Sequence, residues 1–511
     1  CVDWSYDLLS VRERELWARL SVFAGGFELE AAEQICGDGH AAGDVLDLVS
    51  SLVDKSILIR EDTGGAIRYR MLETLREYGR ERLRGGGGEW GVRRAHRDWF
   101  ERLALRAHTE WIGPGQLEWL DRLDREQANL REAMEFSLSE PDGAGAALRL
   151  AASLYEFWVA RQRITEARYW LGRALAKPGG HPMVRAMALS EDTVLAAMQM
   201  NAEAGRGILE EARAIADEVD DETLHALVTA AGGILALFSG DFAGAVTHLG
   251  RVLPVFEKSG DVLHQVSALL ALGAAKGLLQ EPESAADCQE QARKLTEERG
   301  ESVYRSYALS QLGYTAVERG DLERGPVFVK EGLRLARMIE DRPVVGTCLA
   351  TLALVAAENE QPERAAVLVG AASAVGESEG AQAAALIEMF GHHTQAQQYA
   401  AKALSSRAYE AALRRGHEFD IDEAVAFALE ERAPERVPQQ EAQKDVAPSP
   451  LTKREQQVAE LVAQGMTNRA IADKLVLSQR TVEWHVEHVL SKLQFTTRAQ
   501  IAAWVVERER G

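Results

Sequence analysis

Cysteine is scarce in this chain. Cys1, Cys36, Cys288 and Cys348 are the only four, and none belongs to a CxxC pair. Neither a disulfide framework nor a thiolate metal site has the spacing it needs. Long apolar runs are missing too. No stretch approaches the ~18–20 residues that span a membrane, and no charged-then-apolar leader with a small-residue cleavage site is present. These absences point to a reduced, cytoplasmic protein. Positive charge is short as well: 58 Lys and Arg face 79 Asp and Glu, a net −21. That balance excludes a chain whose whole surface binds nucleic acid. No GxxxxGK[ST] phosphate loop occurs, since the glycine clusters at 85–88 and 205–207 lack the Lys-Ser/Thr that must follow. With no paired catalytic constellation either, the expectation is no enzyme, no resident cofactor and no metal site.

What is present divides into segments. At 511 residues the chain exceeds one core. Residues 1–88 read as a winged helix. Ser10-Val-Arg-Glu13 is a capping box opening a helix that carries Leu16, Leu20 and Phe23, with Gly25-Gly26 as its stop. Helical patterns follow near 28–36 and 43–54. Ser56–Arg60 and Ala66–Arg70 then flank the turn Asp62-Thr-Gly-Gly65, a hairpin signal, and a charged helix runs from about Met71 to Arg84.

From 89 to 430 the sequence is Ala/Leu-rich with helical periodicity and an internal repeat. Asn201, Asp241, Glu281, Asp321 and Gln361 recur every 40 residues, each followed four positions later by Gly205, Ala245, Ala285, Gly325 or Ala365. A turn followed by a small residue describes a helical-hairpin solenoid, mainly α. It resembles tetratricopeptide (TPR) repeats, whose period is about 34; the longer period implies longer helices or loops. The His392-His393 pair lacks partners at ligand spacing and reads as solvated loop. Residues 431–450, with Pro434, Pro438, Pro448 and Pro450 among polar residues, form a flexible linker.

Residues 451–511 break the acidic trend: between 451 and 505 seven Lys/Arg stand against five acids. Thr452-Lys-Arg-Glu455 is a second capping box, and its helix closes at Gly465. Thr467 caps a short helix, and Ser478 opens a longer one running to Leu493; a fourth begins near Thr497 and includes Trp504. Short helix, tight turn and longer helix make the arrangement that enters a major groove. At 100° per residue, Val482, Val486, Val489 and Leu493 form the buried stripe. Arg480, Trp484, Glu487, His488 and Ser491 point away from it, with Thr481, His485 and Lys492 on the flank. Arg469, Arg480, Lys492 and Arg498 can reach phosphates, as can the free N–H groups at Thr467 and Ser478.

The motifs LTxRExxV, GxTNxxIA, LxLSxRTVxxHVxxxLxKL and TxRAQ resemble the LuxR-type helix-turn-helix output domain. The resemblance implies base or backbone contacts from Asn468, Arg480, Thr481, Glu483, Trp484 and Glu487. Several family members carry Lys where Glu483 and Glu487 stand, so affinity or base preference differs here. DWSYDLLS, LSVFAGGFELEAAEQIC, LVDKSIL and YRMLETLREYGRERL resemble the winged-helix segment that follows the nucleotide-binding core of large STAND (NB-ARC-type) regulators of actinobacteria. By that likeness an ATPase core, where ATP or ADP would bind, precedes Cys1. The winged helix then serves as an intramolecular brace rather than a second DNA reader.

Together these readings imply a transcription regulator. Its partners are double-stranded promoter DNA, a second copy of the chain on paired half-sites, RNA polymerase, and a protein or small-molecule signal at the repeats. The alternative is an interaction scaffold acting through its repeats with a dormant helix-turn-helix.

Overall fold

Ser10 starts its helix with reciprocal capping: Glu13 N donates to Ser10 Oγ at 3.3 Å, and Ser10 N donates to Glu13 Oε2 at 2.7 Å. The computed structural model describes residues 2–37, 43–63, 65–379, 393–431 and 453–463, with 466, 471, 474, 482, 486, 489 and 504 described singly. They fall into two units, Cys1–Pro434 and Glu435–Gly511. Both are built of helices. The β-structure among the described residues lies within Gly26–Met71.

The winged helix comprises α1 (Val2–Asp7), α2 (Val11–Leu20), β1 (Gly26–Glu28), α3 (Leu29–Cys36), α4 (Asp44–Asp54), β2 (Leu58–Thr63), β3 (Ala66–Met71) and α5 (Glu73–Gly85). The hairpin forms with Thr63 opposite Ala66, as the turn residues require. Two details differ from the sequence reading. The helix opened by Ser10 ends at Leu20, five residues before Gly25, and Phe23 stacks on Phe27 instead, at 4.5 Å between ring centroids. Gly26–Glu28 pairs with β3, so the sheet has three strands in the order β1-β3-β2. Trp17, fully buried, donates from Nε1 to Leu75 O at 3.0 Å and ties α2 to α5.

A buried polar network joins this sheet to the helices that follow, α6 (Glu89–Thr109) and α7 (Gln116–Ser139). Arg68 of β3 pairs with Glu126 and donates to Gly26 O at 2.8 Å. Asn129 accepts from Ala24 N and donates to Gly26 O, both at 2.8 Å. Stranding a buried charge is far costlier than exposing it, so Arg68 and Glu126 fix the sheet against α7.

The repeats continue through α8 (Ala144–Ser153), α9 (Tyr155–Ala160), α10 (Ile164–Ala176) and α11 (Pro182–Met198). Regular spacing begins with α12 (Ala202–Val219), α13 (Glu222–Phe238), α14 (Phe242–Ser259) and α15 (Val262–Leu278). It continues through α16 (Pro282–Glu297), α17 (Val303–Glu318), α18 (Gly325–Met338), α19 (Arg342–Glu358) and α20 (Pro362–Glu379). The extra length over a 34-residue repeat lies in the helices, while most of the links are two to four residues.

Every twentieth residue, Met200, Asp220, Gly240, Gly260, Gln280, Gly300, Gly320, Glu340 and Glu360, has positive φ. At eight of these nine turns the following N–H reaches back to close a six-residue ring, as from Asn201 N to Ala196 O and from Asp341 N to Ala336 O, both at 2.9 Å. This is the Schellman closure. The residue that ends one helix then caps the next: Asn201, Asp221, Asp241, Asp261 and Asp341 each accept from a backbone N–H three residues on. The small residues of the sequence repeat sit where helices touch. Ala245, Ala285 and Ala365 are fully buried. A Cβ on Gly205 would stand 2.7 Å from Leu235 Cδ1, and one on Gly325 2.6 Å from Val317 Cγ2.

Candidate functional sites: the C-terminal bundle and the repeat lumen

In the second unit, helix Lys453–Ala463 contributes Val458, Ala459, Leu461 and Val462 to a buried cluster completed by Ile471, Val482, Val486 and Val489. Ala463, Met466 and Trp504 pack at its edge. Val482, Val486 and Val489 are helical and buried at the i, i+4, i+7 spacing of one helix face, as the stripe predicts. Leu493 lies outside the described residues. So do all the candidate DNA-contacting residues: Thr467, Asn468, Arg469, Ser478, Arg480, Thr481, Glu483, Trp484, Glu487, His488, Lys492 and Arg498. The linker 431–450 is described only at Glu431. Of the His392-His393 pair, His392 lies outside. No group of three or more metal-ligating side chains occurs among the described residues. No described helix is long and apolar enough to cross a membrane.

In the first unit the repeats curve until distant parts meet. Gln116, at the start of α7, donates to Glu301 Oε1 at 2.8 Å. Arg161, just after α9, donates to Ile339 O at 2.7 Å. Inside this closure lies a chamber of about 230 Å³. It is lined by α9, α11, α13, α15, α17 and α19, including Val194, Ile234, Leu237, Leu270, Tyr304 and Tyr307. A smaller chamber of about 60 Å³ adjoins it and shares Tyr155, Val194, Ile234, Ser267 and Tyr304; Glu156, Ser190, Glu191 and His264 line it too.

The ionisable groups of the two chambers are acids, one histidine and tyrosines, without Lys or Arg. Glu156 faces His108 Nδ1 at 3.0 Å, and its charge raises the pKa of His108. His264 Nδ1 meets Asp261 at 2.8 Å. Asp341 accepts from Tyr307 Oη at 2.7 Å and from Val344 N at 3.1 Å. Glu191 differs from these. Its Oε2 is shielded from solvent without a hydrogen-bond partner, and Gln311 Oε1 is in the same condition. Burial pushes the Glu191 carboxyl well above the usual carboxylate range, and the charges of Glu156 and Asp192 push it further.

The sequence reading found the solenoid but none of these side chains. The available signal was Glu191 as the one charged residue among the lumen-facing residues of α11, and Gln311 as the one amide among those of α17, though an isolated polar residue is far more often a solvated one.

Residues 449–505 match the family profile of bacterial regulatory proteins of the luxR family, and residues 9–84 match a winged helix-turn-helix domain. The chain is 34% identical over 266 residues to an HTH-type transcriptional regulator of Mycobacterium tuberculosis, taking in 49% of this chain and 30% of that protein. It therefore spans less than a third of that relative's length. Over 55 residues, 11% of this chain and 26% of its relative, it is 42% identical to the nitrate/nitrite response regulator protein NarL of Escherichia coli. Among solved structures, a signal transduction ATPase with numerous domains carrying a tetratricopeptide repeat sensor, from Pyrococcus horikoshii, is similar. It has a TM-score of 0.44 and 14% identity, covering 81% of this chain and 63% of that one. The C-terminal segment is thus a LuxR-type helix-turn-helix, set in a chain that begins with a winged helix and continues in helical repeats.

Proposed function

We propose that the chain is a DNA-binding transcription regulator in which the repeats receive a signal and the LuxR-type domain delivers it to promoter DNA. The observation that carries this reading is the luxR-family match at 449–505, with Val482, Val486 and Val489 buried on one helix face. With those three valines inward, helical arithmetic directs Arg480, Trp484, Glu487 and His488 to the opposite face. Thr481, Glu483 and Lys492 then flank the groove, and Asn468, Arg469 and Arg498 serve the backbone. Glutamates in the groove accept from cytosine N4 and repel phosphate, so Glu483 and Glu487 restrict affinity while selecting bases.

The division we adopt is 1–88, 89–430, 431–450 and 451–511. The finer assignment is to the STAND class, with nucleotide handled by a separate ATPase core and no catalysis by this chain. The network of Arg68, Glu126 and Asn129 supports the winged helix as a brace: it ties the sheet to α7. A mildly basic module on an acidic body binds best as a dimer on half-sites one turn apart, from which it would engage RNA polymerase.

The test is titration of the whole chain against random and promoter-derived duplexes at two salt concentrations. Binding that weakens with salt and prefers the promoter duplex is expected. No binding at low salt overturns the regulator and leaves the interaction scaffold.

A further inference from the structure

We propose that the lumen of the repeats binds a small amphipathic amine, its ammonium group in the 60 Å³ chamber beside Glu191 and its apolar body in the 230 Å³ chamber. This rests on the reading that the repeats receive a signal, and it names the chemistry of that signal.

Size comes first. Both chambers are of small-molecule size, the larger one several times the smaller. A helix is ~10–12 Å across with its side chains, so a folded partner does not fit the lumen and a small molecule does. The shared residues Tyr155, Val194, Ile234, Ser267 and Tyr304 stand between the adjoining chambers, so one ligand occupies both by passing between these side chains.

Polarity separates the ends. The larger chamber is mainly aliphatic and aromatic, through side chains such as Met198, Leu237, Phe238, Leu270 and Val344. That surface gains by covering an apolar body. The smaller chamber brings Glu156 and Glu191 together, and no Lys or Arg lines either chamber to balance them. His108 answers Glu156 from outside the chambers, and Arg168 answers Asp192, the residue after Glu191, at 2.8 Å. Glu191 Oε2 is left without a hydrogen bond. Among these acids the empty site keeps the Glu191 carboxyl protonated; an arriving ammonium takes the place of that proton, so a cation is the favoured donor and its binding releases a proton. An ammonium supplies charge and hydrogen bonds together.

Aromatic faces add to the selection. Tyr155 and Tyr304 line both chambers, and Tyr304 and Tyr307 meet edge to face, 6.0 Å between centroids at 87°. Ring faces attract a desolvated cation and offer nothing to a carboxylate. Gln311 Oε1, in the larger chamber and also without a partner, can accept from a hydroxyl or amide on the ligand's body.

The experiment uses the whole chain and three probes of one length: octylammonium, 1-octanol and octanoate. Calorimetric titration and thermal melting follow binding, while DNA affinity is measured on the same preparation. Octylammonium is expected to bind one per chain and raise the melting temperature, with octanol at least roughly tenfold weaker and octanoate silent. Glu191→Gln, which keeps shape and removes the carboxyl that ionises when the ammonium binds, is expected to bring octylammonium down to the level of octanol. Equal binding of octylammonium and octanol by the unaltered chain overturns the proposal without recourse to a variant. Full octylammonium affinity in Glu191→Gln, with melting otherwise unchanged, overturns it as well. Absence of octylammonium binding with salt-sensitive DNA binding intact overturns the amine site and leaves the regulator standing. Loss of both refutes the regulator reading itself.

Discussion

Gln116 and Glu301, 185 residues apart, together cap one helix. Gln116 Oε1 accepts from Ser302 N at 3.0 Å and Val303 N at 2.9 Å, while Glu301 accepts from Tyr304 N at 2.8 Å and Arg305 N at 3.0 Å. Those are the N–H groups that the start of α17 leaves without intrahelical partners. Gln116 Nε2 closes the arrangement on Glu301 Oε1, and both side chains are buried. The curvature of the solenoid is therefore locked by hydrogen bonds that no neighbouring repeat supplies.

Removing Gln116 tests that lock. Gln116→Ala strands the Ser302 and Val303 N–H groups away from water, at about 1–3 kcal/mol for a buried donor. Denaturant midpoints should fall accordingly. Hydrogen exchange at residues 302–305 should accelerate more than in α13, which lies away from the closure. Uniform acceleration would mean that the closure is incidental to the curvature.

Left-handed turns every twenty residues make a reciprocal prediction. Glu360 adopts φ 54° and Gly240 φ 81°, a region that costs L-residues ~1–2 kcal/mol and glycine little. Glu360→Gly is expected to raise stability by up to about 1 kcal/mol, the gain reduced by the freer unfolded chain. Gly240→Ala is expected to lower it by about 1 kcal/mol or more, although nothing lies within 4 Å of the added Cβ. Opposite signs for the two substitutions would place the effect in the backbone; a loss in both would place it elsewhere.

His96 makes the winged-helix end acid-sensitive. Burial brings its pKa down to about 3, against a weaker upward pull from Asn129. Because the folded value lies below the ordinary 6.5, its contribution is complete above pH 6.5 and is lost as pH falls toward 3. Lowering pH from 7.5 to 5 should remove about 2 kcal/mol. Glu13, held at about 2 by Lys55, Ser51 and Ser10 against its burial, acts only below pH 4.5. His108, with a raised pKa, contributes fully below 6.5 and loses that contribution as pH rises from 6.5 through its folded value. Protonation of His108 and Glu191 over the same descent works in the opposite direction, so the difference in urea midpoint between the unaltered chain and His96→Gln, taken at pH 7.5 and at pH 5, reports the His96 window. That difference should shift against the unaltered chain at the lower pH.

The parts of this fold that were legible in sequence are those fixed by local chemistry. Ser10 and Glu13 announced their capping box, and Asn201 and Asp241 marked helix starts because a cap must sit one residue before its helix. The forty-residue period hid a twenty-residue one. The turn positions are filled by Met200, Asp220, Gly240 and Gln280, alike in φ and unlike in side chain. Strand Gly26–Glu28 was missed because three residues carry no alternation to read; its partner across the sheet decides it. The lumen was invisible for a related reason. Glu191 and Gln311 become unusual only when helices over a hundred residues apart curve around them. At the C-terminus the motif gave the function class, and the buried valines agree with its register, since a period of 3.6 leaves one choice of inner face.

That register makes the last prediction specific. If Arg480 and Lys492 meet phosphates, each Ala substitution removes one ion pair and the counterion release that goes with it. The slope of log affinity against log salt should then shrink by about 0.9 per residue, equally for random and promoter duplexes. Glu487→Lys should do the reverse, steepening the slope and tightening random-sequence binding while narrowing the preference for promoter sequence. Base reading and backbone attraction trade against each other at that position. Lys474, helical and exposed, carries the same charge but was not assigned to the interface, so Lys474→Ala is the control and should leave the slope nearly unchanged. A slope that falls equally for Lys474 and Arg480 would mean that net charge alone governs binding. A fall confined to Arg480 and Lys492 would place the third helix of the bundle in the groove.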